Sequence, residues 1–289
     1  GENWTAWQDF QGTKSWVLTS TDGLKTVYYE AKDVANNTIS SPVTDSITLD
    51  TTKPTVNLSI TGQGDTPSTH TNNVSVTLTI TGSDATSGVE YMKISNDITF
   101  SGSSWISYNT SKSWTLNSGD GVKTVYIKAK DRAGKESDTT SDNITLDVTS
   151  PTSLSISIDS GQTYTNSTDV VLSLSATNAT KMQISNLANF SGAAWESYST
   201  SKNWTITDGN GTRTVYFKAK DTAGNIATAV NDTITLDKAD PEISSVSSSS
   251  VGQTSATITW TTDEASTSYT EYGTTTSYGS NTSLNSTKV

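Results

Sequence analysis

Apolar and polar residues alternate along this chain with a period of two, in short runs separated by turn residues. Val125, Ile127 and Ala129 point one way while Tyr126, Lys128 and Lys130 point the other, and the alternation returns in Val215, Phe217, Ala219 and in Val27, Tyr29, Ala31. A second apolar strand face, Val76, Leu78, Ile80, is matched here to Leu172, Leu174, Ala176 and, late in the chain, to Ala256, Ile258, Trp260. Asp22-Gly23, Asp120-Gly121 and Asp208-Gly209 precede one strand, and Ala133-Gly134 or Ala223-Gly224-Asn225 follow it; such pairs suit tight turns. No stretch of ten residues carries helical periodicity. Short strands with frequent turn signals predict an all-β chain built of β-sandwiches.

The strands recur in a longer unit. Trp105, Lys112, Trp114, Gly121, Thr124 to Asp131 and Ile144 to Asp147 return as Trp195, Lys202, Trp204, Gly211, Thr214 to Asp221 and Ile234 to Asp237. The same series opens the chain as Trp7, Lys14, Trp16, Gly23, Thr26 to Asp33 and Ile47 to Asp50. Trp16, Trp114 and Trp204 are 98 and 90 residues apart, so whole domains repeat. Each copy closes on Leu-Asp with a proline soon after: Asp50 then Pro54, Asp147 then Pro151, Asp237 then Pro241. Proline fixes its own φ and extends the residue before it, so short, stiff joints are expected. The pattern places whole sandwiches at residues 53–149 and 150–239, the second half of a sandwich at 1–52 and the first half of one at 240–289. Half a sandwich exposes an apolar face and open strand edges. Two readings stay open: the tail of one chain completes the head of the next and builds a filament, or the 289 residues are a segment of a longer array.

The segment Val215 to Asn225, VYFKAKDTAGN, with the closing ITLD and proline, resembles the Ig-like repeats of bacterial and archaeal surface proteins. The stretch from Pro241 to Gly279, containing SATITWTTDEASTSYTEYGTTTSYG, is similar to the fibronectin type III-like modules of secreted and S-layer-associated prokaryotic proteins, including the one preceding purple acid phosphatases. The resemblance implies a linear array of Ig-like and fibronectin type III-like β-sandwiches. Residues 1–52 would be the C-terminal half of an Ig-like domain, 53–149 and 150–239 Ig-like domains, and 240–289 the N-terminal half of a fibronectin III-like domain. It also implies an extracellular, cell-surface setting and no particular ligand.

Charge and composition narrow the function. Eighteen Lys and Arg against 29 Asp and Glu leave a net charge of −11, which disfavours nucleic acid and anionic lipid. No apolar run approaches the roughly 18 residues of a membrane span. With one histidine, His70, and no cysteine, a nucleophile-base system has almost no material. Asp33, Asp131, Asp221 and Asp50, Asp147, Asp237 recur at one place per copy, as turn and joint residues do and catalytic acids do not. No enzyme, and no catalytic, cofactor or dedicated metal motif, is therefore expected. Calcium is the one cation these joint aspartates could hold, although in the sequence each joint offers only one or two acids. The pairs Trp7 and Trp16, Trp105 and Trp114, Trp195 and Trp204, with Phe10, Tyr108 and Tyr198, are expected to pack within or between domains; stacking on sugar rings is the competing role.

Asn-X-Ser/Thr sequons stand at Asn3, Asn36, Asn57, Asn73, Asn109, Asn143, Asn166, Asn178, Asn189, Asn203, Asn210, Asn231, Asn281 and Asn285, 14 of 20 asparagines. The chain's 100 Ser and Thr account for about half that number by chance, so N-linked glycans are expected. The function expected from the sequence is a structural protein of an extracellular filament, sheath or S-layer whose partners are copies of itself or flanking domains. An adhesin or carbohydrate-binding stalk, or a spacer in a larger exported protein, is the alternative.

Overall fold

The structure, a computed structural model, describes residues 5–64, 66–67, 69–268, 270–273 and 280–281. The chain is all-β among these residues, apart from one 3-10 turn at Asp159–Gly161. A first hairpin joins β1 (Gly23–Tyr29) to β2 (Val43–Leu49). A sandwich follows from β3 (Thr55–Thr61), β4 (His70–Thr71), β5 (Ser75–Ser83), β6 (Val89–Ser95), β7 (Ile106–Ser107), β8 (Ser111–Thr115), β9 (Gly121–Asp131) and β10 (Thr140–Leu146). A second is made by β11 (Thr152–Ile158), β12 (Tyr164–Thr165), β13 (Asp169–Thr177), β14 (Lys181–Ser185), β15 (Glu196–Ser197), β16 (Ser201–Thr205), β17 (Gly211–Lys220) and β18 (Val230–Leu236). Two hairpins come last, β19 (Ile243–Ser249) with β20 (Thr257–Thr262) and β21 (Glu271–Tyr272) with β22 (Ser280–Asn281).

The two complete sandwiches share one topology. In the first, the sheet β3-β5-β8 faces the sheet β4-β10-β9-β6-β7; in the second, β11-β13-β16 faces β12-β18-β17-β14-β15. The period-two alternation decides what lies between them. Leu78 and Ile80 meet Val125, Ile127, Ala129 and Ile144 in one core, and Leu172 and Leu174 meet Val215, Phe217, Ala219 and Ile234 in the other, all buried. Each of the Leu, Ile, Val and Phe side chains among them stabilises its sandwich by about 1.5–3 kcal/mol relative to exposure. An aspartate also stitches the two sheets together. Asp142 Oδ2 accepts the backbone N–H of Ile60 at 2.8 Å, and Asp232 Oδ2 that of Ile158 at 2.9 Å.

One match made from the sequence is shifted by a pair. Val76 pairs with Trp114 and Val170 with Trp204, so Val76, Leu78, Ile80 correspond to Val170, Leu172, Leu174. Ala176 takes the place of Gly82: the N–H of each donates to a tyrosine hydroxyl, Gly82 to Tyr108 at 2.6 Å and Ala176 to Tyr198 at 2.9 Å. The close approach explains why small residues stand there. A Cβ at Gly82 would lie 3.0 Å from the Tyr108 ring.

The flanking hairpins carry the same kinds of residue without a cover. Ile47 stands where Ile144 and Ile234 stand, yet it is 60% exposed against 1% for each of the others. Tyr29, at the place of Ile127 and Phe217, is 50% exposed where they are fully buried. In the later hairpin Ile243, Val246 and Ile258 are likewise exposed.

Candidate functional site

The recurrent aspartates gather at the joints. Where the linker leaves a sandwich, the residue before the first glycine of β1, β9 or β17 reaches over to hold it. Asp22 Oδ1 accepts the N–H of Thr51 at 2.8 Å, Asp120 Oδ1 that of Val148 at 2.8 Å, and Asn210 Oδ1 that of Lys238 at 3.0 Å. Asn210, not Asp208, is therefore the third member of this series; Asp208 instead binds Lys238 Nζ at 2.6 Å. The hydroxyls of Thr52 and Thr51 hold the Asp22 carboxyl below its ordinary value, and that of Thr149 does the same for Asp120. At the last joint Glu264 moves the other way, pushed up by desolvation and by the charges of Asp237, Asp263 and Asp240.

A second set forms the turn after β9, β17 and their counterpart near the start. Asp33, Asp131 and Asp221 each accept on Oδ1 the N–H four residues on, from Asn37, Lys135 and Asn225, at 2.9, 2.8 and 2.9 Å. Their other oxygens differ. Asn37 Nδ2 donates to Asp33 Oδ2 and Asn225 Nδ2 to Asp221 Oδ2, both at 2.9 Å. Asn225 also donates to the carbonyl of Asp147 at 2.7 Å, tying one sandwich to the next. In the middle copy the asparagine is replaced by Lys135, and Asp131 Oδ2 is buried with no hydrogen-bond donor.

Asp131 is joined there by Asp50, which directly follows β2, and by Asp84 from the turn after β5. One carboxylate oxygen of each lies within 4.8 Å of those of the other two. Asp50 and Asp131 are 5% and 1% exposed. Ser87 Oγ donates to Asp50 Oδ2 at 2.5 Å, and Asp84 Oδ1 accepts the N–H groups of Thr86, Ser87 and Gly88 at 3.1, 2.8 and 2.8 Å. Burial opposes the charge of Asp84, but the N–H groups of Gly88, Ser87 and Thr86 outweigh it and hold its pKa below the usual value. The repeat alone offers at most two acids per joint, because Asp84 lies in a loop with no counterpart acid in the next sandwich, where Asn178 follows β13. The joint thus brings together Asp50 and Asp131, two of the six recurrent aspartates, with Asp84, a residue the repeat does not announce.

The other candidates fall elsewhere. His70 sits in β4 with Nδ1 3.0 Å from Thr69 Oγ1. Trp114 and Trp204 pack on the cores and donate through Nε1 to Asn96 and Asn186 Oδ1, both at 2.7 Å. Trp105 and Trp195, both half-buried, stack on lysines: Lys130 is 4.2 Å from the ring centre of Trp105, and the buried Lys220 4.6 Å from that of Trp195. Ammonium groups at this range are held by the ring quadrupole. Of the sequon asparagines, Asn36, Asn57, Asn109, Asn143, Asn166, Asn178, Asn189, Asn203, Asn210 and Asn231 are exposed and Asn73 is half-buried. Asn3, Asn285 and the side chain of Asn281 lie outside the described residues.

No family model and no curated protein matches this chain. Among solved structures it is similar to the fibronectin(III)-like modules of Clostridium thermocellum CbhA, at 10% identity and a TM-score of 0.40, over 63% of this chain and 94% of that one. It is similar also to the FN1-FN3 domains of chicken CNTN1, at 11% identity and a TM-score of 0.35, over 72% of this chain and 77% of that one. The central fibronectin-III array of RIM-binding protein follows at 12% identity and a TM-score of 0.23, over 65% of this chain and 74% of that one. These are likenesses of tandem β-sandwiches and carry no function.

Proposed function

We propose that this chain is a non-catalytic structural protein of an extracellular filament, sheath or S-layer, and that its copies join head to tail, the β19–β20 hairpin of one covering the β1–β2 hairpin of the next. The observation that carries this reading is Asp45. It pairs with Val27 as Asp142 pairs with Val125 and Asp232 with Val215. Like them it accepts its neighbour's N–H, from Ser46 at 2.8 Å, on Oδ1. In the complete sandwiches the second oxygen takes an N–H of the opposing sheet; among the described residues Asp45 Oδ2 takes none. An acceptor and the exposed Ile47 and Tyr29 face outward together, which is the complement of a hairpin that offers strand N–H groups and exposed Ile243, Val246 and Ile258. A heterologous contact of this kind does not close on itself and so propagates. Exposed sequons suit export and glycosylation at this surface, and no helix among the described residues is long and apolar enough to cross a membrane.

Light scattering on a sizing column at micromolar concentration tests the reading. Assembly is expected, weakened in Asp45→Ala, with filaments visible by electron microscopy. A single species at the 30.6 kDa chain mass would overturn it and leave a spacer array. A carbohydrate-binding stalk is less well supported, because lysine ammonium groups already stack on the rings of Trp105 and Trp195 and both tryptophans are half-buried.

A further inference from the structure

We propose that Asp50, Asp84 and Asp131 form a calcium site that locks the joint between the β1–β2 hairpin and the first complete sandwich. The three carboxylates come from separate parts of the chain, the first linker, the β5–β6 turn and the end of β9. Two are almost wholly buried, and one oxygen of Asp131 receives no hydrogen bond from protein. A buried carboxylate oxygen without a donor is unstable unless a cation or its equivalent meets it.

The chain contains its own control. In the other two copies the oxygen equivalent to Asp131 Oδ2 is satisfied by the amide of Asn37 or Asn225, four residues on. Only the middle copy replaces that amide with lysine, and Lys135 supplies Asp131 with its backbone N–H alone while its exposed side chain makes no ion pair among the described residues. The donor is missing where two further carboxylates arrive within 4.8 Å. At the next joint the equivalent of Asp84 is Asn178, and Asn225 bridges Asp221 to the Asp147 carbonyl directly. The amide and the cation are thus alternative solutions to one packing problem.

The donors are hard oxygens, which excludes soft metals. All three oxygens lie within 4.8 Å of one another, close enough to share one ion. Calcium takes about six to eight oxygens in flexible geometry, whereas magnesium demands a rigid octahedron and keeps several waters, so a buried cluster of carboxylates suits calcium, with water or backbone carbonyls completing its shell. The ion would fix the linker residue Asp50 to two turns of the following sandwich. The site stands or falls independently of assembly between copies.

The test is calorimetric titration of the whole chain with calcium chloride, paired with thermal melts in calcium and in EDTA. One calcium per chain is expected, binding more tightly than magnesium, with a melting temperature raised in calcium. Asp84→Asn is expected to weaken binding at least tenfold. Lys135→Asn, which restores the amide of the sister copies, is expected to keep the fold, melt higher in EDTA than the wild type and lose most of the response to calcium. No stoichiometric calcium binding at millimolar concentration, preference for magnesium, or calcium binding undiminished in both variants would overturn the proposal.

Discussion

Replacing Asp142 by alanine removes the bond that joins the two sheets of the first sandwich and leaves the N–H of Ile60, a residue only 2% exposed, without an acceptor. The bond is 2.8 Å long and charge-assisted. A hydrogen bond to a charged group contributes about 1.5–3 kcal/mol, and an orphaned buried donor costs a similar amount. Because Asp142 is itself half-buried and so partly screened, about 2 kcal/mol is the reasoned loss. For a sandwich of this size that is a fall of roughly 10 °C in melting temperature. Asp142→Asn keeps a neutral acceptor and should recover about half. Asp138→Ala is the comparison: it breaks an ion pair with Lys53 whose side chains are 92% and 60% exposed, and should scarcely move the transition. Scanning calorimetry of the whole chain reads all three. If Asp142→Ala moved the first-sandwich transition no further than Asp138→Ala, or no further than Asp142→Asn, the stitch between sheets would not matter and the same reasoning at Asp232 and Asp45 would fail with it.

Two other perturbations act on the joints. Gly64 has φ +117°, and a Cβ there would lie 2.1 Å from the carbonyl oxygen of Ala223 in the second sandwich; Gly64→Ala should therefore speed proteolysis of the linker near Pro151 while leaving the melting of the second sandwich unchanged. The carboxyls of Asp22 and Asp120 are held below the ordinary 3.8, so their grip is present above that pH and lost as pH falls below it. Glu264, raised by its acidic neighbours, has the opposite sign and is eased by protonation. Amide protection against hydrogen exchange, corrected for the intrinsic rate at each pH, should accordingly fall at residues 51–53 and 148–150 as the pH is lowered from 5 to about 3, before either core opens.

The core could be read from alternation because burial on one face of a strand is a local property, and Val125, Ile127 and Ala129 carry it in the chain itself. Joints and turns repeated often enough to reveal Asp50 and Asp131, but not what they face. Asp84 was invisible since it belongs to a turn that the sister sandwich shortens, and convergence of residues 34 and 47 positions apart depends on the folded path. The mismatch at Leu172 had a different cause: Val170 is the second residue of β13, beside the charged Asp169 that opens it, and Ala176 looks like a core position until the Tyr198 hydroxyl is seen to bond its N–H. The lysines against Trp105 and Trp195 were equally hidden, because β9 and β17 meet the loops ahead of β7 and β15 only in the folded chain.

The short strands β4 and β12 have a mechanical consequence. Each runs parallel to the last strand of its sandwich, β10 or β18, through bonds such as Thr145 N–H to Thr69 O and Asp147 N–H to Thr71 O, both 2.9 Å. Tension entering by the linker ahead of β3 and leaving after β10 slides parallel strands past one another, so these bonds strain together and do not unzip in turn. Stretching an array of such units meets resistance first at the two-residue strands.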